Sequence, residues 1–486
     1  MAVPSLLLCY LLLLVSPHLG CSYHTSYTRD GRHHVLRSNR DPRRRPKPTC
    51  SSAHSAHSAV PVVHRLSPCS PLAGAARNQQ PERRSVADVL HRDALRLRSL
   101  LHREEDNHGT PAPAPPGRGV SIPSRGEPIE ELPGAFEYHV VAGFGTPMQK
   151  LPVGFDTTTT GATLLQCTPC GSGADHAFDP SASSSVSQVP CGSPDCPFHG
   201  CSGRPSCTLS VSFNNTLLGN ATFFTDTLTL TPSSSATVDK FRFACLEAGI
   251  VAPGPGEDGS AGILDLSRNS HSLPSRLVAS SPPHAVAFSY CLPASTADVG
   301  FLSLGATKPE LLGRKVSYTP LRGSPSNGNL YVVDLVGLGL GGPDLPIPPA
   351  AIAGDDTILE LHTTFTYLKP QVYAVLRDSF RKSMSEYPAA PPLGSLDTCY
   401  NFTGLDAFSV PAVTLKFAGG ADVDLWMDEM MYFIDPDNHF SIGCLAFVAQ
   451  DDDCDGGTVI GSMAQMSTEV VYDVRGGKVG FVPYRC

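Results

Sequence analysis

"VGFDTTTTGATLLQ", residues 153–166, and "TILELHTTFTYLKP", residues 357–370, share one layout: an apolar run, an acid, a threonine-rich turn and an apolar exit. The acids, Asp156 and Glu360, stand 204 residues apart. A second matching pair follows: "GILDLS" (262–267) puts Asp265 109 residues after Asp156, and "VIGSM" (459–463) puts Gly461 101 residues after Glu360. A repeat on this scale predicts two similar lobes, each offering one acid loop. The acids then meet in a cleft between the lobes.

Outward from this repeat, the composition agrees with a loop-rich, mostly β chain. There are 486 residues, 45 Pro, 44 Gly and 41% hydrophobic residues, more than one compact domain needs. Short alternating strands separated by turn signals begin at "EYHVVAGFGTP" (137–147). One later helix is expected at 371–384, after Pro370, with Val372, Val375, Leu376 and Phe380 on one side.

The N-terminus reads as export machinery. An apolar run from Leu6 to Val15, followed by small and turn residues, predicts a signal peptide over residues 1–21, although no basic residue precedes the run. No other stretch reaches the roughly 20 apolar residues of a membrane span. The destination expected is the extracellular space or apoplast, or the vacuole, ahead of the plastid. Twelve of the sixteen cysteines lie in the body: Cys167, Cys170, Cys191, Cys196, Cys201, Cys207, Cys245, Cys291, Cys399, Cys444, Cys454 and Cys486. In an oxidising compartment that even set predicts full disulfide pairing. Sequons at Asn214, Asn220 and Asn401 fit the same route.

Charge divides the chain. Residues 22–135 hold 18 Lys/Arg against 11 Asp/Glu, and residues 136–486 hold 18 against 34. This predicts a basic prosegment and linker (22–135) lying across an acidic body until it is removed, with lobes at 136–320 and 321–486. Residues 22–60, rich in Arg, His and Ser without hydrophobic period, are expected to be disordered. Val86, Leu90, Leu97 and Leu101 share a face, predicting one amphipathic helix within 86–103, followed by a Pro/Gly linker at 109–119.

The acidic body excludes nucleic-acid binding, which needs clustered cations against phosphate. No metal is expected. "SAHSAHSA" (52–59) lacks a Cys or carboxylate partner, and "QDDDCDGG" (450–457) lacks the spaced loop with a terminal Glu that calcium needs. "CTPC" (167–170) is read as structural, and neither a phosphate loop nor a nucleophile elbow is present.

The layout resembles the pepsin-type aspartic proteases, and more narrowly their plant nepenthesin-like branch. "FSYCLPAS", "LPIPP", "DTCYNF", "VVYDVRGGKVGFVPYRC" and the cysteine-dense stretch after Cys167 look like that branch, as does "VHRLSPCSPL" (63–72) in the leader. The resemblance implies a mainly β, bilobal pepsin-like fold with a cleft between two similar lobes. It also implies a monomer, an extended peptide or a secreted protein in the cleft, a flap over it, and no cofactor. In such a site two carboxylates about 3 Å apart share one proton, one activating water and the other protonating the scissile carbonyl. Glycine after each Asp-Thr or Asp-Ser lets the backbone N–H approach the acid.

Against that pattern this chain departs throughout. Asp156 and Thr157 match, but Thr158 replaces Gly. Glu360, Leu361 and His362 replace Asp, Ser or Thr, and Gly, leaving Thr363. In the flap segment 207–220, Phe213 replaces Tyr, followed by Asn214 and Asn215, and behind the first loop Asp265 and Ser267 replace glycines. The expectation is a strained, rearranged first loop, a Glu360 carboxylate displaced by more than about 1 Å, Asp265 as a solvated turn acid, and His362 filling space. Two readings follow: a non-proteolytic homologue that keeps the cleft for recognition, or a residual endopeptidase pairing Asp156 with Glu360 or Asp265.

Overall fold

The two acid-bearing repeats become equivalent strands because each alternates apolar residues up to an acid at its end. The computed structural model describes residues 24–30, 32–39, 50, 59–74, 85–107, 121–122 and 137–486. Within the last range it excepts 160–161, 169–175, 197–204, 214–215, 231–236, 247–259, 281–286, 306–307, 323–329, 437, 451–456 and 484–485. In the first half, strand Gln149–Asp156 runs parallel to Gly262–Asp265, with Asp156 opposite Asp265. The latter pairs antiparallel with Thr163–Gln166, which runs parallel to Thr237–Leu246.

The second half repeats this order. Strand Thr357–Leu359 is parallel to Thr458–Ile460, which pairs antiparallel with Thr366–Leu368, and that strand runs parallel to Phe447–Ala449. The fold is thus mainly β and bilobal, as the repeat predicts. Gly461 takes the register position that Asp265 holds in the first half. A Cβ at 461 would lie 2.2 Å from the Phe365 carbonyl oxygen, so only glycine fits there.

A sheet joins the lobes. Strands Phe288–Cys291, Glu469–Asp473 and Lys478–Val482 lie side by side, and Phe288 stacks on Tyr472 with ring centroids 4.3 Å apart. Burying such side chains contributes roughly 1.5–3 kcal/mol each. The leader supplies a further strand, Ala59–His64, which pairs with Gly300–Leu304 on one side and His139 and Tyr138 on the other.

Helix Pro370–Ser383 forms where expected, with Val372, Tyr373, Leu376 and Phe380 buried, and helix Leu273–Ser280 was not foreseen. The expected disorder of 22–60 is corrected. His24–Asp30 and His33–Asn39 form a hairpin whose second strand pairs with Ala407–Pro411. Its strand character comes from the open backbone of that partner, which the polar local sequence does not announce. The histidines of "SAHSAHSA", the aspartates of "QDDDCDGG" and the expected signal peptide lie outside the described residues.

Disulfides join Cys167 to Cys245, Cys196 to Cys207, Cys291 to Cys486 and Cys399 to Cys444; Cys191 is also bonded. "CTPC" is therefore structural through Cys167, while Cys170, Cys201 and Cys454 lie outside the described residues. A further bridge, Cys50–Cys69, staples the leader. Thiol titration of the unfolded, unreduced body should find no free cysteine, and two or more would contradict the expected full pairing. Among the described residues no helix is long and apolar enough to cross a membrane.

Candidate functional site

Asp156 and Glu360 end equivalent strands and meet between the lobes, both fully buried. Each loop holds its acid by one oxygen. Asp156 Oδ1 accepts from the Thr158 amide and hydroxyl, both at 2.8 Å. Glu360 Oε2 accepts from the His362 amide at 2.9 Å and from the Thr363 amide. Thr157 Oγ1 crosses to the Leu359 carbonyl at 3.3 Å, whereas its counterpart Leu361 is a buried apolar side chain that cannot return the bond.

Two expectations are corrected here. Thr158 is not strained, because neither it nor His362 adopts a positive φ; its amide reaches the acid without glycine, and its hydroxyl adds a second bond. Glu360 is not displaced from the centre. Its extra methylene lets one oxygen stay on its own loop while the other reaches inward.

The inward oxygens meet a cation from the leader. Helix Val86–Asn107 lies across the site, and its Arg96 Nη2 donates to Asp156 Oδ2 at 2.7 Å and to Glu360 Oε1 at 3.1 Å. Nε reaches the same Glu360 oxygen at 3.2 Å, and Nη2 also donates to Thr158 Oγ1. His362 Nε2 stands 3.7 Å from Asp156 Oδ2, its side chain 5% exposed. Burial pushes the Asp156 carboxyl up, but Arg96, His362 and the Thr158 bonds outweigh it and hold the group below its usual range. Asp156 therefore faces Arg96 instead of an open cleft.

Asp93 and Arg96 were not among the site residues expected from the sequence. They sit on the face that carries Val89, Leu90 and Leu97, and charges interrupting an apolar face were the available signal. Asp93 accepts from the backbone amides of Thr364 and Phe365 at 2.9 and 3.0 Å and from Tyr367 OH at 3.3 Å, clamping the helix onto the second acid loop. Burial, the largest influence, pushes its carboxyl from the ordinary 3.8 up to about 7. Since the folded value is raised, the protonated group favours the folded state. That contribution is complete below pH 3.8 and lost as pH rises through about 7. Asp93→Asn should flatten the stability profile across this window in denaturant titrations; an unchanged slope would refute the assignment.

Asp265 is not a solvated turn acid. It is buried, bonded by the Thr159 hydroxyl and by the Ser267 amide at 2.8 Å. Burial first, and the nearby Asp156 charge, push its carboxyl up. It lies behind the first loop in the register position of Gly461, opposite Asp156 on the neighbouring strand. Phe213 ends strand Thr208–Phe213, which pairs with Thr216–Thr229 as a flap hairpin; the tip, with Asn214, lies outside the described residues. Asn220 lies in the returning strand, and Asn401 is exposed.

The chain matches two adjoining families, the xylanase inhibitor N-terminal family over residues 138–306 and the xylanase inhibitor C-terminal family over 330–483. It is 31% identical to the aspartyl protease AED1 of Arabidopsis thaliana over 443 residues, covering 90% of this chain and 88% of that protein. Aspartyl protease 25 of Oryza sativa subsp. japonica is 32% identical, with coverages of 72% and 82%. The aspartic proteinase nepenthesin-1 of Nepenthes gracilis is 27% identical, with coverages of 72% and 78%. Among solved structures, conglutin gamma from lupine seeds superposes with a TM-score of 0.56 at 18% identity, covering 71% of this chain and 91% of that one. The soybean basic 7S globulin gives the same TM-score and identity, with coverages of 72% and 94%. At that identity the two globulins speak for the fold alone.

Proposed function

Because the chain belongs to the pepsin-type aspartic protease family, in its plant xylanase-inhibitor-like branch, we propose that it is an exported, non-proteolytic homologue whose interlobe cleft recognises an extended peptide or a secreted protein. One observation carries the reading. The inward oxygen of Asp156 has the His362 imidazole at 3.7 Å, a group of the body that stays when the leader and its Arg96 are removed, where a working dyad shares a proton and holds the attacking water. A carboxylate held beside that imidazole has no reason to share a proton with Glu360, and Arg96 adds a second cation only while the leader is in place.

Further support comes from Leu361, which leaves the second loop without a hydroxyl, and from the disulfides, which suit an oxidising compartment. In this reading residues 1–21 direct export to the apoplast or vacuole, 22–135 form the prosegment, and the monomeric body carries lobes 136–320 and 321–486. The name of the matching families makes a secreted glycoside hydrolase one partner worth testing. The second reading, a weak acid endopeptidase, is favoured by the convergence of Asp156 and Glu360 from opposite lobes.

One sample distinguishes the two. Leader-processed protein is titrated with labelled eight-residue peptides, and the same mixture is read by mass spectrometry. The expected result is saturable binding with the peptides recovered intact. No binding would remove the recognition role, and fragments whose formation a peptidic transition-state inhibitor blocks would establish the second reading.

A further inference from the structure

Asp156, Glu360 and His362 each bring one donor atom to a common place, all within 4.8 Å of one another. The two carboxylates are fully buried and the imidazole nearly so. Each loop fixes one carboxylate oxygen on its own amides, which leaves Asp156 Oδ2 and Glu360 Oε1 aimed at the centre. A cation already occupies that centre. Arg96 Nη2, delivered by the leader helix, touches both inward oxygens.

We propose that, once Arg96 is withdrawn, Asp156, Glu360 and His362 bind a divalent first-row transition cation of the zinc type. The inference rests on the non-proteolytic reading: the substitutions that remove the shared proton, Glu360 and His362, are those that supply a cation site. Two buried carboxylates without Arg96 need a counter-charge, since leaving them bare is strongly unfavourable. Two carboxylate oxygens and one imidazole nitrogen suit zinc, with a fourth position open to water. Calcium requires six or more oxygens, and magnesium an octahedral oxygen shell, which this set does not provide.

Zinc–ligand bonds of about 2.0–2.2 Å place tetrahedral donors roughly 3.4 Å apart, near the 3.7 Å that already separates His362 Nε2 from Asp156 Oδ2; the Glu360 donor lies within 4.8 Å of both and closes on the ion by a side-chain shift. Outside the donors, Thr158 and the amides of His362 and Thr363 orient the carboxylates as an outer shell. In the sequence Glu360 and His362 follow Asp156 by 204 and 206 residues, so no local ligand spacing marks the set.

The test uses the full chain carrying Arg96→Ala, stripped with a chelator and titrated with Zn²⁺ by calorimetry at pH 7. Co²⁺ absorption serves as a spectroscopic signature of the site. One ion should bind per chain, and adding His362→Ala should weaken binding by about 10–100-fold or more, at least the loss that outer-shell changes produce. The unmodified chain, with Arg96 in place, should not bind there. If Arg96→Ala does not fold, Arg96→Met retains the packing of the stem without its charge. A folded variant that takes up no Zn²⁺, or whose uptake ignores His362→Ala, overturns the metal site and leaves the non-proteolytic reading standing. Inhibitor-sensitive cleavage by the unmodified protein would count against that reading whatever zinc does.

Discussion

Replacing Arg96 with alanine is expected to lower the unfolding free energy of the full chain by about 3–5 kcal/mol at pH 7, because one partner of a buried charge cluster is removed and two carboxylates are left behind. The loss should be pH-dependent with a definite sign. In the unmodified chain the Asp156 carboxyl lies below its usual range. Its contribution is present above the ordinary 3.8 and lost only as pH falls through the lowered value. In the variant, burial without the guanidinium raises the Asp156 carboxyl, so folding is favoured when it is protonated. The stability gap should therefore narrow as the solution is acidified from pH 7 toward pH 4. Arg96→Lys should lose less, since it keeps the charge but not the fork that reaches both acids. Denaturant titrations at a series of pH values measure this directly; a constant gap would show that Arg96 contributes packing and not charge.

The second large effect concerns chemistry. Restoring an acid peptidase should require Thr158→Gly, Glu360→Asp, Leu361→Ser, His362→Gly and Phe213→Tyr together. Groups that act as one catalytic unit do not contribute additively, so each change alone should leave peptide cleavage at background. The combined variant, freed of its leader, should exceed that background by roughly 10²–10⁴-fold, the usual yield of positioned acid and base groups. His362→Gly and Glu360→Asp matter most. The first clears the imidazole from Asp156, and the second draws the other carboxylate back to the length that lets two acids share a proton. Full activity from either change alone would show that the remaining loop is already competent.

The architecture was legible because its signal is repeated and local. An apolar strand ending in an acid and a threonine turn occurs twice, and each copy folds into the same four-strand order. The helix from Val86 was legible for a similar reason, its apolar residues recurring on one face. What escaped depends on partners far along the chain. The hairpin at 24–39 takes its form from strand Ala407–Pro411, and its own residues carry no strand period. Arg96 and Asp93 read as solvated charges until the helix is laid against loops 60 and 271 residues away. The strain expected at Thr158 was misjudged because a threonine hydroxyl can bond the acid that glycine merely lets the backbone approach. Asp265 was placed correctly behind the first loop, but its burial follows from a strand register that no local pattern states.

The central claim is that Asp156 no longer works within a proton-sharing pair. The most direct measurement is cleavage of a denatured protein by the unmodified chain, acid-treated and leader-processed, at intervals between about pH 2 and 6, the range over which such pairs titrate. It is run beside Asp156→Ala, with and without a peptidic transition-state inhibitor. The account predicts equal background rates in all samples and no effect of the inhibitor. Acid peptidase activity in the unmodified protein that the inhibitor blocks and Asp156→Ala abolishes would contradict it.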